Sequence, residues 1–512
     1  MALRGPVAAL CILAAPLAAQ DGSPLSAIDW LSQSVEAAAP AGTQPRMIDE
    51  PPVADTAASP NVTVTLLDSP SPDPVGLLTS ATTGLPRNLW SGSAEETLVT
   101  LVRAEAMPGL PAMQDFLTVL MLAEADPPLG AGPQGALFLA RVDKLLDLGA
   151  LQQAQALLEE ADAKSPQMFR RWFDVALLTG TEDAACKVMQ DRPAIAPTPS
   201  ARIFCLARSG DWPAAALTLN TNRVLGDISD EEEALLSRFL DPDLYEDEAE
   251  LGPPTRVSPL VFRMREAIGQ ALTTPNLPLA FAHADLRSTT GWKAQLEAAE
   301  RLARAGALPA NTLQALYTSR TPSASGGIWD RVDAMQQFDV AIRAGDPGAV
   351  AIALPAAWEA MRSIKAEVPF AQLYASDLNR LPLTGAAADL ALTVGLLSPD
   401  YETIARDADT AVGDPFLRAV AQGQPQDAPA RSAIARAVQA GFGDAMVPER
   451  LARLAQNGQL GEALLRANAI FNAGVAGDTG AMTDALAFLR SVGLEDVARR
   501  AALQLLILDR PT

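Results

Sequence analysis

The chain has 512 residues, which exceeds the roughly 250–300 residues at which a single hydrophobic core stops growing. Hydrophobic residues make up 49% of it and aromatic residues 5%; alanine and leucine dominate, and runs of valine, isoleucine and threonine are scarce, a composition that favours helices. The net charge of −22 and the lack of any block of basic residues disfavour nucleic acid and anionic membranes as partners.

The chain begins with a segment, Met1–Ala19, that has the form of a secretory signal peptide. Arg4 precedes a short apolar stretch, and small residues lead to an expected cleavage site before Gln20. Cys11 lies inside the apolar stretch, so it does not fit a lipoprotein signal. An apolar run of the ~20 residues that a bilayer requires does not occur later in the sequence. We therefore expect a periplasmic protein with no integral membrane segment after signal cleavage; an uncleaved N-terminal anchor is the alternative.

Residues 20–92 are rich in proline, alanine, serine, threonine and aspartate. Such a composition buries too little apolar surface to offset the entropy of ordering, so we predict a disordered leader here. Within it, Ile28, Trp30 and Leu31 lie in a stretch with helical spacing of its apolar residues. We predict that these three residues bind a partner or a groove of the same chain; the alternative is a tail without a binding role.

From Ser93 onwards, helical patterns alternate with turns marked by glycine, proline or aspartate. Ser93 with Glu96, and Ser229 with Glu232, have the spacing of a capping box, in which serine and glutamate satisfy the first amides of a helix. The sequence thus predicts an all-α domain over residues 93–512, with two sub-arrays meeting near residues 241–256 as one possible arrangement.

One local pattern recurs along this domain: the apolar end of a helix, a glycine, and then a second helix rich in alanine and leucine. A glycine at this point can adopt the left-handed conformation that ends a helix. The glycines are Gly149, Gly180, Gly210, Gly306, Gly345, Gly458 and Gly493. An alanine follows five residues later in several copies, where a small side chain lets two helices pack closely: Ala154, Ala185, Ala215, Ala463 and Ala498.

This glycine–alanine pattern resembles that of the tetratricopeptide and related helix-turn-helix repeat families, whose period is about 34 residues. Gly149, Gly180 and Gly210 are 31 and 30 residues apart. Gly306 and Gly345 are 39 apart, and Gly458 and Gly493 are 35 apart. The chain is also similar to exported helical-repeat proteins of Gram-negative bacteria. The resemblance implies an α-solenoid, elongated and curved, that binds peptides or proteins on one face. A non-repeating all-α domain with ordinary glycine-capped hairpins is the alternative.

Two cysteines, Cys186 and Cys205, remain after removal of the signal peptide. They fall on neighbouring predicted helices joined by a proline-rich turn, and in an exported protein we predict that they form a disulfide. Two buried free thiols are the alternative. Their spacing, without further cysteines or histidines, is not that of a zinc site.

The sequence shows no recognisable catalytic motif. His283 is its one histidine, which suits a structural role better than catalysis, and the acidic stretch Asp241–Glu250 lacks the ligand spacing of a calcium loop. We predict no cofactor and no bound metal. The favoured hypothesis is a non-enzymatic periplasmic scaffold or adaptor that binds other envelope proteins or peptides. The alternative is a cell-envelope enzyme, or enzyme subunit, with a carboxylate-based site.

Overall fold

The structure, a computed structural model, describes residues 71–105, 109–162 and 165–508. Within these ranges it contains 25 α-helices and no β-strand, which confirms the predicted all-α class. The predicted signal peptide, and Ile28, Trp30 and Leu31, lie outside the described residues.

In chain order, the first helices are α1 (Ser80–Thr83), α2 (Glu95–Ala104), α3 (Pro111–Leu122), α4 (Ala136–Asp147), α5 (Leu151–Glu160), α6 (Pro166–Thr179), α7 (Glu182–Asp191), α8 (Pro199–Arg208) and α9 (Trp212–Leu225). The next are α10 (Asp230–Leu240), α11 (Pro259–Ala267), α12 (Ala282–Asp285), α13 (Trp292–Arg304), α14 (Ala310–Thr318), α15 (Ile328–Ala344), α16 (Pro347–Ser363) and α17 (Glu367–Asn379). The last are α18 (Ala386–Leu396), α19 (Tyr401–Asp407), α20 (Pro415–Ala421), α21 (Ala433–Phe442), α22 (Glu449–Gln456), α23 (Leu460–Val475), α24 (Thr479–Ser491) and α25 (Glu495–Ile507).

The recurring glycines end helices as predicted. All seven have φ between +64° and +85°, the left-handed region that costs glycine little. The five alanines that follow them are fully buried. Each glycine therefore ends one helix, and each of the five alanines lies on the buried face of the helix that follows.

One of the two predicted capping boxes is confirmed. Ser229 and Glu232 form the complete capping box at the start of α10. At α2 the prediction was wrong: the helix begins at Glu95, and Ser93 does not cap it. Instead, the amide of Glu95 donates to the carbonyl of Leu129, and the amide of Leu129 donates to the carbonyl of Ser93. A contact from a distant part of the chain has replaced the local cap.

The predicted leader extends too far, because residues 71–92 belong to the fold. Asp73 is fully buried and accepts a hydrogen bond of 2.7 Å from the amide of Phe138 in the first turn of α4. Arg141, also fully buried, donates to the carbonyls of Asp73 and Val75 and to those of Met121 and Ala123 at the end of α3. One guanidinium thus ties this segment to two helices.

The same segment also contacts the far end of the chain. Trp90 is fully buried, and a Cβ atom at Gly461 would overlap its indole ring. The amide of Gly461 donates to the carbonyl of Leu89 at 2.9 Å. Glycine at position 461 is therefore required for the close approach of α23 to the segment before α2.

Further contacts join the first and last helices. α3 packs against α25, and α2 packs against α23. Asp115 on α3 forms an ion pair of 3.0 Å with Arg500 on α25. Because the two ends of the array meet, the structure differs from the open, elongated solenoid that we expected from the repeats.

Among the described residues, the buried hydrophobic side chains form two clusters. The larger one includes side chains from both ends of the array. The smaller one lies in α6 to α11, which we call the small lobe, and spans residues 169–264. Residues 241–256 connect α10 to α11 inside this lobe, so they are not a boundary between two sub-arrays. The first and last helices of the small lobe, α6 and α11, pack against each other.

Candidate functional site

Helix α9, in the small lobe, exposes an unusual amount of apolar surface. Trp212 is 48% exposed, Leu217 68%, Val224 82% and Leu225 67%. We call these four residues the α9 surface. Single exposed apolar side chains are common on proteins, whereas a cluster of them on one helix marks a contact surface.

The opposite side of α9 explains why the helix keeps this position. Ala215 and Leu219 are buried in the small lobe, and α9 packs against α8 and α10. Asp211 caps the helix by accepting from the amide of Ala214, and Gly226 ends it with φ of +77°. The helix is therefore anchored by its inner face and its two ends. Its outer face, where Leu217 and Val224 flank the polar Asn220 and Thr221, lies outside the core.

The α9 surface carries almost no charge. Arg223 is the one charged residue of α9, and its guanidinium lies 2.9 Å from Glu233 on α10. In a chain with 61 acidic and 39 basic residues, a 14-residue helix without a carboxylate is a local departure from the surface composition. Low charge lowers the cost of removing this surface from water on contact with a partner.

A cleft of about 500 Å³ opens beside the first turn of α9. Trp212, Phe204 and Phe239 supply its aromatic walls, and the rings of Phe204 and Phe239 stack with centroids 5.4 Å apart. Tryptophan beside an apolar cleft is a residue type that often dominates binding energy at protein interfaces. The cleft therefore extends the α9 surface at the end where Trp212 lies.

The charged residues of the cleft are held by internal ion pairs. Arg208 lies 2.6 Å from Asp183, and Arg263 lies 2.6 Å from Glu182. Glu266 contacts both Arg263 and Arg287; burial opposes ionisation, but the two guanidiniums outweigh it and lower the pKa of Glu266. The rim of the cleft is thus a fixed network, which favours the aromatic walls and the α9 surface as the contact area.

Cys186 and Cys205 form a disulfide between α7 and α8, with their Cα atoms 5.0 Å apart. Both are buried in the small lobe. Cys205 lies one residue after Phe204, so the bond fixes the helix that carries one wall of the cleft. The predicted pair is therefore a structural element beside the candidate surface.

His283 is buried at the start of α12. Its Nε2 lies 2.8 Å from the carbonyl oxygen of Gly149, and because a carbonyl can only accept, Nε2 carries the proton and donates. Burial lowers the pKa of His283 to about 4, so the ring is neutral at pH 7. The histidine links α12 to the turn at the first recurring glycine.

The acidic stretch Asp241–Glu250 is mostly exposed, and Glu248 pairs with Arg238 at 2.8 Å. Among the residues that the structure describes, no group of three or more His, Cys, Asp or Glu side chains is placed to hold a metal ion. In the same part of the chain, none of the helices has the length and apolar character needed to cross a membrane.

Sequence reasoning missed the α9 surface. The signal was present, because Trp212–Leu225 contains Leu217 and Val224 seven residues apart and only one charge. That spacing predicts an apolar helix face but cannot say whether the face is buried, and α9 has apolar residues on both sides. Comparison with protein-family models, with curated proteins and with solved structures finds no match to this chain.

Proposed function

We propose that this protein is an exported interaction protein of the cell envelope, without catalysis of its own, and that it binds a second protein through the α9 surface. The occupant we propose is the apolar face of an amphipathic helix from another envelope protein. The observation that carries this proposal is the exposure of four large apolar side chains on one nearly uncharged helix.

The chemistry of the surface supports that occupant. Leu217 and Val224 lie two turns apart on the outer face of α9, a spacing that a second helix can match with its own apolar residues. Trp212 and the aromatic cleft offer one deeper pocket for an anchoring side chain. A strongly acidic partner segment would find no unpaired cation on α9.

The architecture we propose for this role is a helical-repeat scaffold of the tetratricopeptide-like kind. Its support is the set of glycine-ended helices with buried alanines at a common offset. In such scaffolds each unit buries its apolar face on the next, and a face that no unit covers is available to a partner.

The periplasmic location belongs to the same proposal. Met1–Ala19 has the form of a signal peptide, and a disulfide between Cys186 and Cys205 is stable in an oxidising compartment. N-terminal sequencing of the mature protein from a periplasmic fraction tests this directly. We expect it to begin at Gln20; a protein that keeps Met1 in the cytoplasm would refute the location.

The binding function is tested by a double variant, Leu217→Asp with Val224→Asp, against the matched control Ile352→Asp. Ile352 is 83% exposed on α16, so the control introduces a charge at an equally open apolar position elsewhere. Affinity-tagged forms are used to capture partners from envelope extracts, and recovery is quantified by mass spectrometry. We expect one set of proteins to be recovered by the wild type and the control and lost from the double variant. Identical recovery by all three would refute the proposed surface.

A further inference from the structure

A second cavity, of about 670 Å³, lies between α13 and residues 271–275. The wall from α13 consists of residues on one side of the helix: Ala294, Glu297, Ala298, Glu300, Arg301 and Arg304. Ala271, Leu272, Pro275 and Ile364 supply apolar walls. The volume suits a small molecule or the end of a peptide.

Among the described residues, neither arginine of this cavity forms an ion pair by direct contact with a carboxylate, although Asp285 lies near enough to act against the lowering of the pKa of Arg301. Arg301 donates to the backbone carbonyls of Thr274, at 2.8 Å, and Leu277, which satisfies hydrogen bonds but does not neutralise its charge. Burial, and then the neighbouring guanidinium of Arg304, lower the pKa of Arg301. Two like charges are therefore held together in a chain whose net charge is −22.

The cavity's own carboxylates are engaged by other groups. Glu300 is held by Arg331, at 2.7 Å, and by the hydroxyl of Tyr317. Glu297 lies 3.5 Å from Lys293, and Asp285 accepts from the hydroxyl of Thr274. These carboxylates do not neutralise the arginine pair by direct contact, but their charge in the same cavity opposes a ligand with two negative charges.

We propose that this cavity binds an amphipathic monocarboxylate, whose carboxylate contacts Arg304 and Arg301 and whose apolar part lies against Ala294 and Ile364. Guanidinium groups match the planar geometry of a carboxylate, and one negative charge is balanced by the pair without adding strongly to the repulsion from Asp285, Glu297 and Glu300. The C-terminus of a peptide and a small organic acid share this chemistry.

The test is isothermal titration calorimetry of the purified protein with three probes. N-acetyl-alanyl-leucine represents a peptide C-terminus, its C-terminal amide removes the charge, and hexanoate represents a free acid. We expect the peptide acid to bind at least tenfold more tightly than its amide. Hexanoate binding as tightly as the peptide acid would assign the site to small carboxylates, and weaker binding would assign it to peptide termini.

Variants identify the cavity as the site of binding. Arg304→Gln should weaken binding of the peptide acid at least tenfold, and Ala294→Leu should weaken it by narrowing the apolar wall. Arg304 is exposed, so its loss leaves the fold intact. The matched control is Arg202→Gln, an exposed arginine on α8 outside this cavity, which should bind like the wild type. The proposal is overturned if acid and amide bind equally, if neither carboxylate binds at millimolar concentration, or if Arg304→Gln binds like the wild type.

Discussion

The side chain of Gln504 caps the first turn of α3 by contacting a residue that lies 392 positions earlier in the chain. Its Oε1 accepts a hydrogen bond of 2.7 Å from the amide of Ala112, in the first turn of α3. The N-cap residue of α3 is Leu110, which has no side-chain acceptor, so the amide depends on α25 for its partner. A stabilising interaction at the start of the array is thus supplied by its last helix.

Replacing Gln504 by leucine should destabilise the protein by about 1–3 kcal/mol, because the buried amide of Ala112 loses its acceptor. Guanidinium unfolding followed by circular dichroism measures the change. The control is Gln337→Leu, since Gln337 is exposed and its amide donates to Asp333 one turn away. Equal stability of the two variants would contradict the role of Gln504 in joining the ends.

Glu105 should make stability depend on pH. It is buried and accepts from Asn468 on α23 at 2.6 Å, and burial raises its pKa to about 7. A folded-state pKa above the unfolded value means that the folded protein holds the proton more tightly, so this contribution is present at low pH and is lost as pH rises from about 4.5 to 7.

The substitution Glu105→Gln should abolish this loss of stability at high pH, because glutamine does not ionise. The variant should match the wild type at pH 5 and be more stable than it at pH 8 by about 2–3 kcal/mol. Unfolding by guanidinium at the two pH values checks this, with Glu359→Gln, on an exposed carboxylate, as the control. A difference that does not change with pH would show that Glu105 is ionised throughout.

Removing the disulfide should loosen the small lobe. Cys186 and Cys205 are 19 residues apart. Loss of a disulfide that closes a loop of this size should lower the free energy of unfolding by ~3 kcal/mol, because the unfolded chain gains entropy. The Cys186→Ala, Cys205→Ala double variant should exchange amide hydrogens faster in α7 to α9. Dithiothreitol should produce the same change in the wild type and none in the variant. Two free thiols in peptides of protein recovered from a periplasmic fraction would contradict the predicted bond.

Trp30, with Ile28 and Leu31, stays a prediction from the sequence. Trp30→Ala should reduce partner recovery or raise hydrogen exchange around these residues, because an apolar side chain that binds a groove excludes water there. Recovery and exchange that both equal those of the wild type would show that this segment has no binding role.

Features governed by neighbouring residues could be predicted from the sequence. A glycine that ends a helix and an alanine five residues later need only local geometry, so Gly149 with Ala154 and Gly458 with Ala463 were found by pattern. The Ser229 cap is equally local.

Features that depend on distant residues could not be predicted. Ser93 fails as a cap because Leu129 satisfies the start of α2, and residues 71–92 are ordered because Arg141 bonds to their carbonyls. The closure of the array needs Gln504 beside Ala112, and no spacing rule connects those positions. The α9 surface was missed for a similar reason, since exposure depends on which neighbours α8 and α10 leave uncovered.

Site-specific photo-crosslinking in living cells tests whether the α9 surface contacts another protein in the envelope. The photoreactive residue p-benzoylphenylalanine replaces Leu217 in one strain and the exposed Ile352 in another, and products are identified by mass spectrometry. We predict a discrete crosslink from position 217 to a different envelope protein, and none from position 352. Equal products from both positions, no product from position 217, or a crosslink there only to a second copy of this chain would contradict the claim.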